Sequence, residues 1–316
     1  MKCAQSFTRS GFAFSPRLLL LASFVCLVLP AYSQEAAQKA FPTAQQAVDA
    51  LIAANRDNNV EALNQIFGPD ASSLISSGDE TQDKNDRARF VTLYDANHRL
   101  VPAGAGELNL VVGENEWPLP IPLVKADGAW KFDSADGVKE LLYRRIGSNE
   151  LAAIATCQAL RQAQIDYAAT GHDGNDPGVY AQRYRSEPGK QNGLYWEVAE
   201  GEPQSPAGPL VADAAQEGYE QGRHQPFHGY YFRILKEQGP NAHGGARDYV
   251  VDGKMTGGFA ILAFPAEYGA SGVMTFFVSR RGTVYQKDLG DSTTETARAI
   301  KAYDPDPSWT RVAPEK

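Results

Sequence analysis

The sequence predicts an α+β protein: N-terminal helices followed by a curved antiparallel sheet, then a long helix packed on an antiparallel meander. Three observations predict it. Helical spacing of apolar residues is confined to 44–97 and 138–170, apart from a last short stretch near 293–302. Period-two alternation occupies 107–132, and short apolar runs divided by Asp-Gly and Arg-Gly turns occupy 229–286. Helices and strands are thus segregated rather than alternating, which is the α+β pattern. With 316 residues, 43% of them hydrophobic and 22% charged, the chain can bury a core, which excludes wholesale disorder. At about 100–200 residues per domain the length suggests two domains.

Residues 1–33 read as an export signal. Lys2, Arg9 and Arg17 give a basic start, and Leu18 to Leu29 is a twelve-residue apolar run. A membrane span needs about 20 such residues, so the run fits a cleavable signal, with Ala31-Tyr32-Ser33 as the cleavage site. The expected location is therefore periplasmic or secreted. Cleavage removes Cys3 and Cys26 and leaves Cys157, which has no internal partner for a disulfide. No second long apolar segment follows, so no transmembrane segment is expected afterwards. The formal net charge of −8 argues against nucleic acid as a partner.

Residues 34–40 read as a flexible leader and 41–147 as the first domain. Thr43 with Gln46 forms a capping box for a helix with Ala44, Ala47, Val48, Leu51 and Ile52 on one face. Asn58-Asn59 separates it from a short helix ended by Gly68-Pro69, and a third is expected near 82–97. Glu107 to Gly113 alternates as a strand. In Trp117-Pro118-Leu119-Pro120-Ile121-Pro122-Leu123 the prolines remove alternate N–H groups on one side, which predicts an edge strand with Trp117, Leu119, Ile121 and Leu123 toward the core. Asp127-Gly128 is a hairpin turn. Val138 to Ile146 is helical and Gly147-Ser148 punctuates it, which sets the boundary of a second domain, 148–316. There a helix over 149–170 carries apolar residues on several sides. An excursion over 171–228 holds one short helix near 209–217, and strands follow at 229–235, 258–264, 272–279 and 283–286. Ser292 with Glu295 caps a last helix.

Several of these segments are familiar. Phe41-Pro42-Thr43, Trp117 to Leu123, His228-Gly229-Tyr230-Tyr231-Phe232-Arg233-Ile234, and Gly258-Phe259-Ala260 through Pro265-Ala266-Glu267-Tyr268-Gly269 resemble the bacterial family called domain of unknown function 2950. That resemblance implies an exported protein and supplies no catalytic residues. Residues 41–133 look like the cone-shaped nuclear transport factor 2-like domains, which implies helices and a curved sheet around a pocket. Residues 149–290 look like the heads of type IV pilin-like proteins, but Leu141-Leu142-Tyr143-Arg144-Arg145-Ile146-Gly147 cannot supply a pilin's membrane helix.

Motif chemistry is sparse. Cys157 lies in an alanine-rich helix, where a buried small hydrophobe is expected rather than a nucleophile. His224 and His228 are four apart, but Pro226 intervenes and no further ligand pattern accompanies them, so no metal site is expected. Asp173-Gly174-Asn175-Asp176 resembles part of a calcium loop, yet Pro177 fills the third ligand position and Tyr184 stands where a bidentate Glu is needed. Gly269-Ala270-Ser271-Gly272-Val273 misses the hydrolase elbow by one position. No cofactor is expected.

The remaining feature is an aromatic set around 190–231. Tyr195, Trp196, Tyr230 and Phe232 are the candidate ligand- or partner-binding residues, since alternate side chains of strand 229–235 face opposite ways. The expectation is an exported, non-enzymatic protein that binds an envelope protein or a small ligand. The alternative is a periplasmic enzyme with an acid/base site in the N-terminal pocket, for which a buried Asp or Glu paired with His or Tyr inside that pocket would be the mark.

Overall fold

Thr43 begins the first helix as its capping box predicts, its hydroxyl accepting from Gln46 N–H at 3.2 Å. The computed structural model describes residues 38–220 and 225–313; the expected signal 1–33, the leader up to residue 37 and His224 lie outside the described residues. Helix α1 (Ala44–Arg56) buries Ala47, Val48, Leu51 and Ile52. Asn59 caps α2 (Val60–Phe67) through Ala62 N–H. A single 3₁₀ turn and α3 (Ser72–Ile75) lead to α4 (Glu80–Ala96).

The first sheet follows: β1 (His98–Gly104), β2 (Glu107–Val112), β3 (Trp117–Pro118), β4 (Leu123–Ala126) and β5 (Ala129–Phe132). Its order is β1-β2-β4-β5, with β3 also paired to β2. Strand β1 has no apolar alternation and is largely exposed, so the sequence pattern does not announce it. The proline segment differs from one continuous edge strand. Only its two ends form ladders; Leu119 N–H still donates to Leu110 O of β2 at 2.8 Å, while 120–122 leaves the sheet, where Pro120 and Pro122 offer no N–H to a neighbour. Its alternation still holds, with Leu119, Ile121 and Leu123 buried. The Asp127-Gly128 hairpin has both central residues at positive φ, 53° and 82°.

Helix α5 (Ser134–Ala169) is a single 36-residue helix, about 54 Å long at 1.5 Å per residue. It runs through Gly147-Ser148, where the sequence predicts punctuation. A helical glycine is unfavourable by only about 1 kcal/mol, and the helix is held on both sides of it. Arg145 donates to Ser73 O at 3.0 Å and to Leu74 O, while Asn149 Nδ2 donates to Ser271 O at 2.9 Å. Val138 near the N-terminal end of α5 packs in one apolar cluster with α1, α2 and the first sheet. Ala153, Cys157, Leu160, Ala163 and Tyr167 pack in a second cluster with the other sheet.

That second sheet is an antiparallel meander in the order β6 (Tyr230–Leu235), β11 (Ala260–Pro265), β12 (Met274–Ser279), β13 (Val284–Asp288) and a short β15 (Thr310–Arg311). Between β6 and β11 come short ladders of β7 (Glu237–Gln238), β8 (Arg247–Asp248), β9 (Val250–Val251) and β10 (Lys254–Met255), and β14 (Ala302–Tyr303) joins β7. Helix α5 covers one face. On the other, Arg233 donates to Ala297 O and Arg298 O at 2.8 Å and to Ile300 O, occupying carbonyls that end α7 (Thr293–Ala299). Covered on both faces, β11 buries all six residues. Ser292 makes no side-chain cap, and Thr293 Oγ1 instead donates to Gly290 O at 2.5 Å.

The segment after α5 is irregular except for α6 (Gly208–Gln216). It wraps over α5, where buried Gln164 exchanges hydrogen bonds with Ala181 O and N–H at 2.8 and 2.9 Å. That explains why the polar and apolar residues of α5 share no single stripe. Asp79 joins distant parts of the chain. Its carboxylate is 1% exposed and accepts from Gln82 N–H (3.1 Å), Tyr219 OH (2.9 Å) and Gly229 N–H (2.9 Å). The protein is α+β, and among the described residues no helix is long and apolar enough to cross a membrane.

Candidate functional site

Strand β6 lies at the edge of the meander, so the side chains on both its faces reach the open flank. Tyr231 and Phe232, adjacent in sequence and both half-buried, line one groove there. Helix α6 supplies Leu210 and Val211, α5 supplies Leu160, and the excursion supplies Tyr195 and Tyr219. Tyr219 and Phe227 meet edge to face with ring centroids 5.0 Å apart. The groove encloses about 410 Å³. Arg185 stands over the Tyr195 ring at 5.5 Å and pairs with Glu197 at 2.9 Å, closing one side.

Tyr184 lines the groove, but its hydroxyl is buried behind the wall, where Cys157 and Arg233 act on it, and makes no hydrogen bond among the described residues. Burial pushes its phenol well above the usual range, so it stays a neutral hydroxyl. Leaving a buried hydroxyl unsatisfied is unfavourable by about 1–3 kcal/mol.

Of the four candidate residues, Tyr195 and Phe232 line the groove and the other two do not. Tyr230 is wholly buried beneath the sheet, its hydroxyl donating to Met274 O at 2.9 Å and its ring 5.9 Å from Phe276. Strand alternation puts it on the side of Phe232, but two residues along it passes under α5 instead of reaching the edge. Trp196 turns away to His172 and Tyr167, with centroids at 5.2 and 6.4 Å. Tyr184 and Leu210 join the groove without a sequence signal, because the excursion that carries Tyr184 has no periodicity.

A second cavity, about 680 Å³, opens in the N-terminal half. Leu51, Leu63, Phe67, Leu119 and Ile121 form its apolar part, with Asp86, Arg87 and Arg145 at its polar edge. Burial raises the Asp86 carboxyl against the pull of Arg89, 3.1 Å away. Arg87 is committed to Asn58 Oδ1 (2.5 Å) and Ile75 O (2.9 Å), as Arg145 is to α3. His228 at the mouth pairs with Glu217 at 3.1 Å. Glu217 is exposed and outside the lining, and the one lining carboxylate, Asp86, pairs with Arg89 rather than with a histidine or tyrosine. The Asp79–Tyr219 pair lies outside that lining, and both its carboxylate oxygens are bonded as a structural clasp.

The other motifs resolve into structural roles. Ser271 Oγ exchanges hydrogen bonds with Glu267 N–H and O at 3.0 and 3.1 Å. Asp173 Oδ1 accepts from Gln191 N–H at 2.9 Å. Among the described residues no group of three His, Cys, Asp or Glu is placed to hold a metal ion. Cys157 is completely buried, and desolvation pushes its thiol far above the usual range. Native-state labelling with a thiol-exchange reagent is therefore expected to proceed no faster than unfolding. Rapid labelling of the folded protein would contradict this burial.

No curated protein and no solved structure matches the chain. The family model described as "Protein of unknown function (DUF2950)" matches residues 38–312, which takes in both apolar clusters, the groove and the N-terminal cavity. The chain belongs to that family.

Proposed function

We propose that the protein is exported and binds a small, mainly apolar ligand in the groove along β6, without transforming it. The observation that carries this reading is the concave, mainly apolar lining formed by Leu160, Tyr195, Leu210, Val211, Tyr231 and Phe232, with Arg185 and Gln225 as polar groups beside it. A ligand with an apolar body and a polar group covers Tyr195, Tyr231 and Phe232 and meets that polar edge at once. Sites of this kind, concave and mostly apolar with a few placed polar groups, are the usual form of small-molecule pockets. Export rests on the basic and apolar pattern of residues 1–33.

Phe232→Ala should bind the fluorescent probe N-phenyl-1-naphthylamine about tenfold more weakly than the parent, because it removes a half-buried aromatic face of the groove. Tyr184→Phe changes a buried hydroxyl that the groove does not expose, so it should bind the probe as the parent does and gain about 1 kcal/mol in urea unfolding, because an unsatisfied buried group is removed. A parent protein with no saturable probe fluorescence, or a Phe232→Ala variant that binds equally well, would refute the reading. Finding residues 1–33 still present on protein recovered from the cell envelope would refute cleavage.

A further inference from the structure

A third cavity, about 910 Å³, lies at the far end of the meander between β7, β8, the β12–β13 turn and the C-terminal segment. Its floor is aromatic: Tyr249, Tyr303 and Trp309 are all buried, and Trp309 stacks on Phe277 with centroids 3.8 Å apart. Its rim carries Arg247, Arg280, Arg281 and Arg311, with His243 beside them. The arginines come from three separate places in the chain, and all four are exposed.

Elsewhere Arg56, Arg89, Arg99, Arg144, Arg183 and Arg185 each pair with a carboxylate, and Arg87, Arg145, Arg161 and Arg233 donate to backbone carbonyls. None of the four rim arginines makes an ion pair among the described residues. The one carboxylate lining the cavity, Asp306, accepts from the N–H and hydroxyl of Ser308 through its Oδ1. Arg281 donates to His243 Nδ1 at 2.7 Å. Arginine has no acceptor, so His243 accepts at Nδ1 and keeps its own N–H at Nε2 as another donor. Otherwise the lining engages the arginines through ring faces, Arg247 over Tyr249 at 6.0 Å and Arg311 over Tyr285 at 5.8 Å, while Tyr249 OH donates to Gln238 Oε1 at 3.0 Å and Gln238 Nε2 to Gly245 O at 2.6 Å. Arg281 and Arg311 both act electrostatically on the Tyr303 phenol, and Arg247 acts on Tyr249, so the cations converge on one floor.

We infer that this cleft is a second binding site, for a multivalent oxyanion carrying at least two phosphate or phosphate-like groups. Four unpaired guanidiniums around one concavity, in a chain of formal charge −8, repel one another until an anion joins them. The guanidinium fork matches phosphate oxygens in bidentate geometry, and this selects multivalent oxyanions over chloride.

Titration calorimetry of the full chain with inorganic pyrophosphate, at about 20 mM ionic strength, tests it. One saturable site is expected, weakening as sodium chloride is added. The double variant Arg281→Ala/Arg311→Ala should bind at least about tenfold more weakly. Arg99→Ala, which removes a distant arginine, should bind as the parent does. The substituted side chains are exposed, and unchanged thermal melting checks that each variant folds. Sedimentation with phosphatidylcholine vesicles containing phosphatidate separates the sources of phosphate. Arginine-dependent sedimentation without a pyrophosphate response assigns the phosphate to a lipid headgroup, and a pyrophosphate response without sedimentation assigns it to a soluble ligand. No response to either probe, or an equal loss in Arg99→Ala, overturns the inference.

Discussion

Asp79→Ala is expected to destabilise the protein by about 3–4 kcal/mol in urea unfolding. The wild-type carboxylate is buried without a cationic partner and is held by three neutral donors. One of them, Gln82 N–H, belongs to the first turn of α4, and loss of such a cap alone is worth about 1 kcal/mol. The other two belong to the far end of the chain. Truncation leaves the buried Tyr219 hydroxyl and Gly229 N–H without an acceptor, at about 1–3 kcal/mol for each group stranded. Tyr219 cannot compensate by ionising, because burial, which the substitution leaves in place, holds its phenol above the usual range. Tyr219→Phe provides the comparison. It removes a donor and leaves the carboxylate two others, so a smaller loss of about 1–1.5 kcal/mol is expected. If Asp79→Ala were no worse than Tyr219→Phe, the clasp would not hold the structure as described.

Gly137→Ala should also destabilise, by about 2–3 kcal/mol, although alanine is the better helix former by about 1 kcal/mol. Gly137 lies in the first turns of α5 where the helix crosses the proline segment. A Cβ there would stand 2.1 Å from Pro120 O and 2.8 Å from Ile121 Cγ1. The obstacle is backbone, held in place by buried Leu119 and Ile121, and cannot swing aside. Gly147→Ala in the same helix meets no atom within 4 Å and should stabilise by about 0.5–1 kcal/mol. Opposite signs for one substitution at two positions of one helix, measured by the same denaturation experiment, are the expected result. Equal signs would mean that close approach to the proline segment does not decide the choice of residue at 137.

What was legible in the sequence follows from how local each signal is. Thr43, Asn59 and the Asp127-Gly128 turn act over three or four residues, and each forms the element its chemistry specifies. The apolar runs at 260–265 and 274–279 could be read as buried strands for the same reason. Strand β1 was not legible, because it is largely exposed and its apolar residues, Leu100 and Val101, are adjacent rather than alternating. The continuity of α5 was hidden because Gly147 is a weak breaker, and the contacts that override it come from Ser73, Leu74 and Ser271, remote in sequence. Within the groove, Tyr195 and Phe232 stood out as aromatics in a loop-rich region and beside an edge. Tyr230 has the same residue type and the same strand parity as Phe232, and only the position of α5 over the sheet distinguishes them. The arginine cleft had no sequence signature at all, since its members are drawn together from residues 247 to 311 by the folding of the meander.

Because α5 passes from one apolar cluster into the other without a break, it also keeps angular register between them. Val138 faces the first interior, and Ala153 and Cys157 face the second. At 3.6 residues per turn, one residue inserted between them would rotate the later contacts by about 100° and shift them by about 1.5 Å. The spacing from Val138 to Ala153 is therefore set by two partners at once, a constraint that the irregular excursion after α5 does not share.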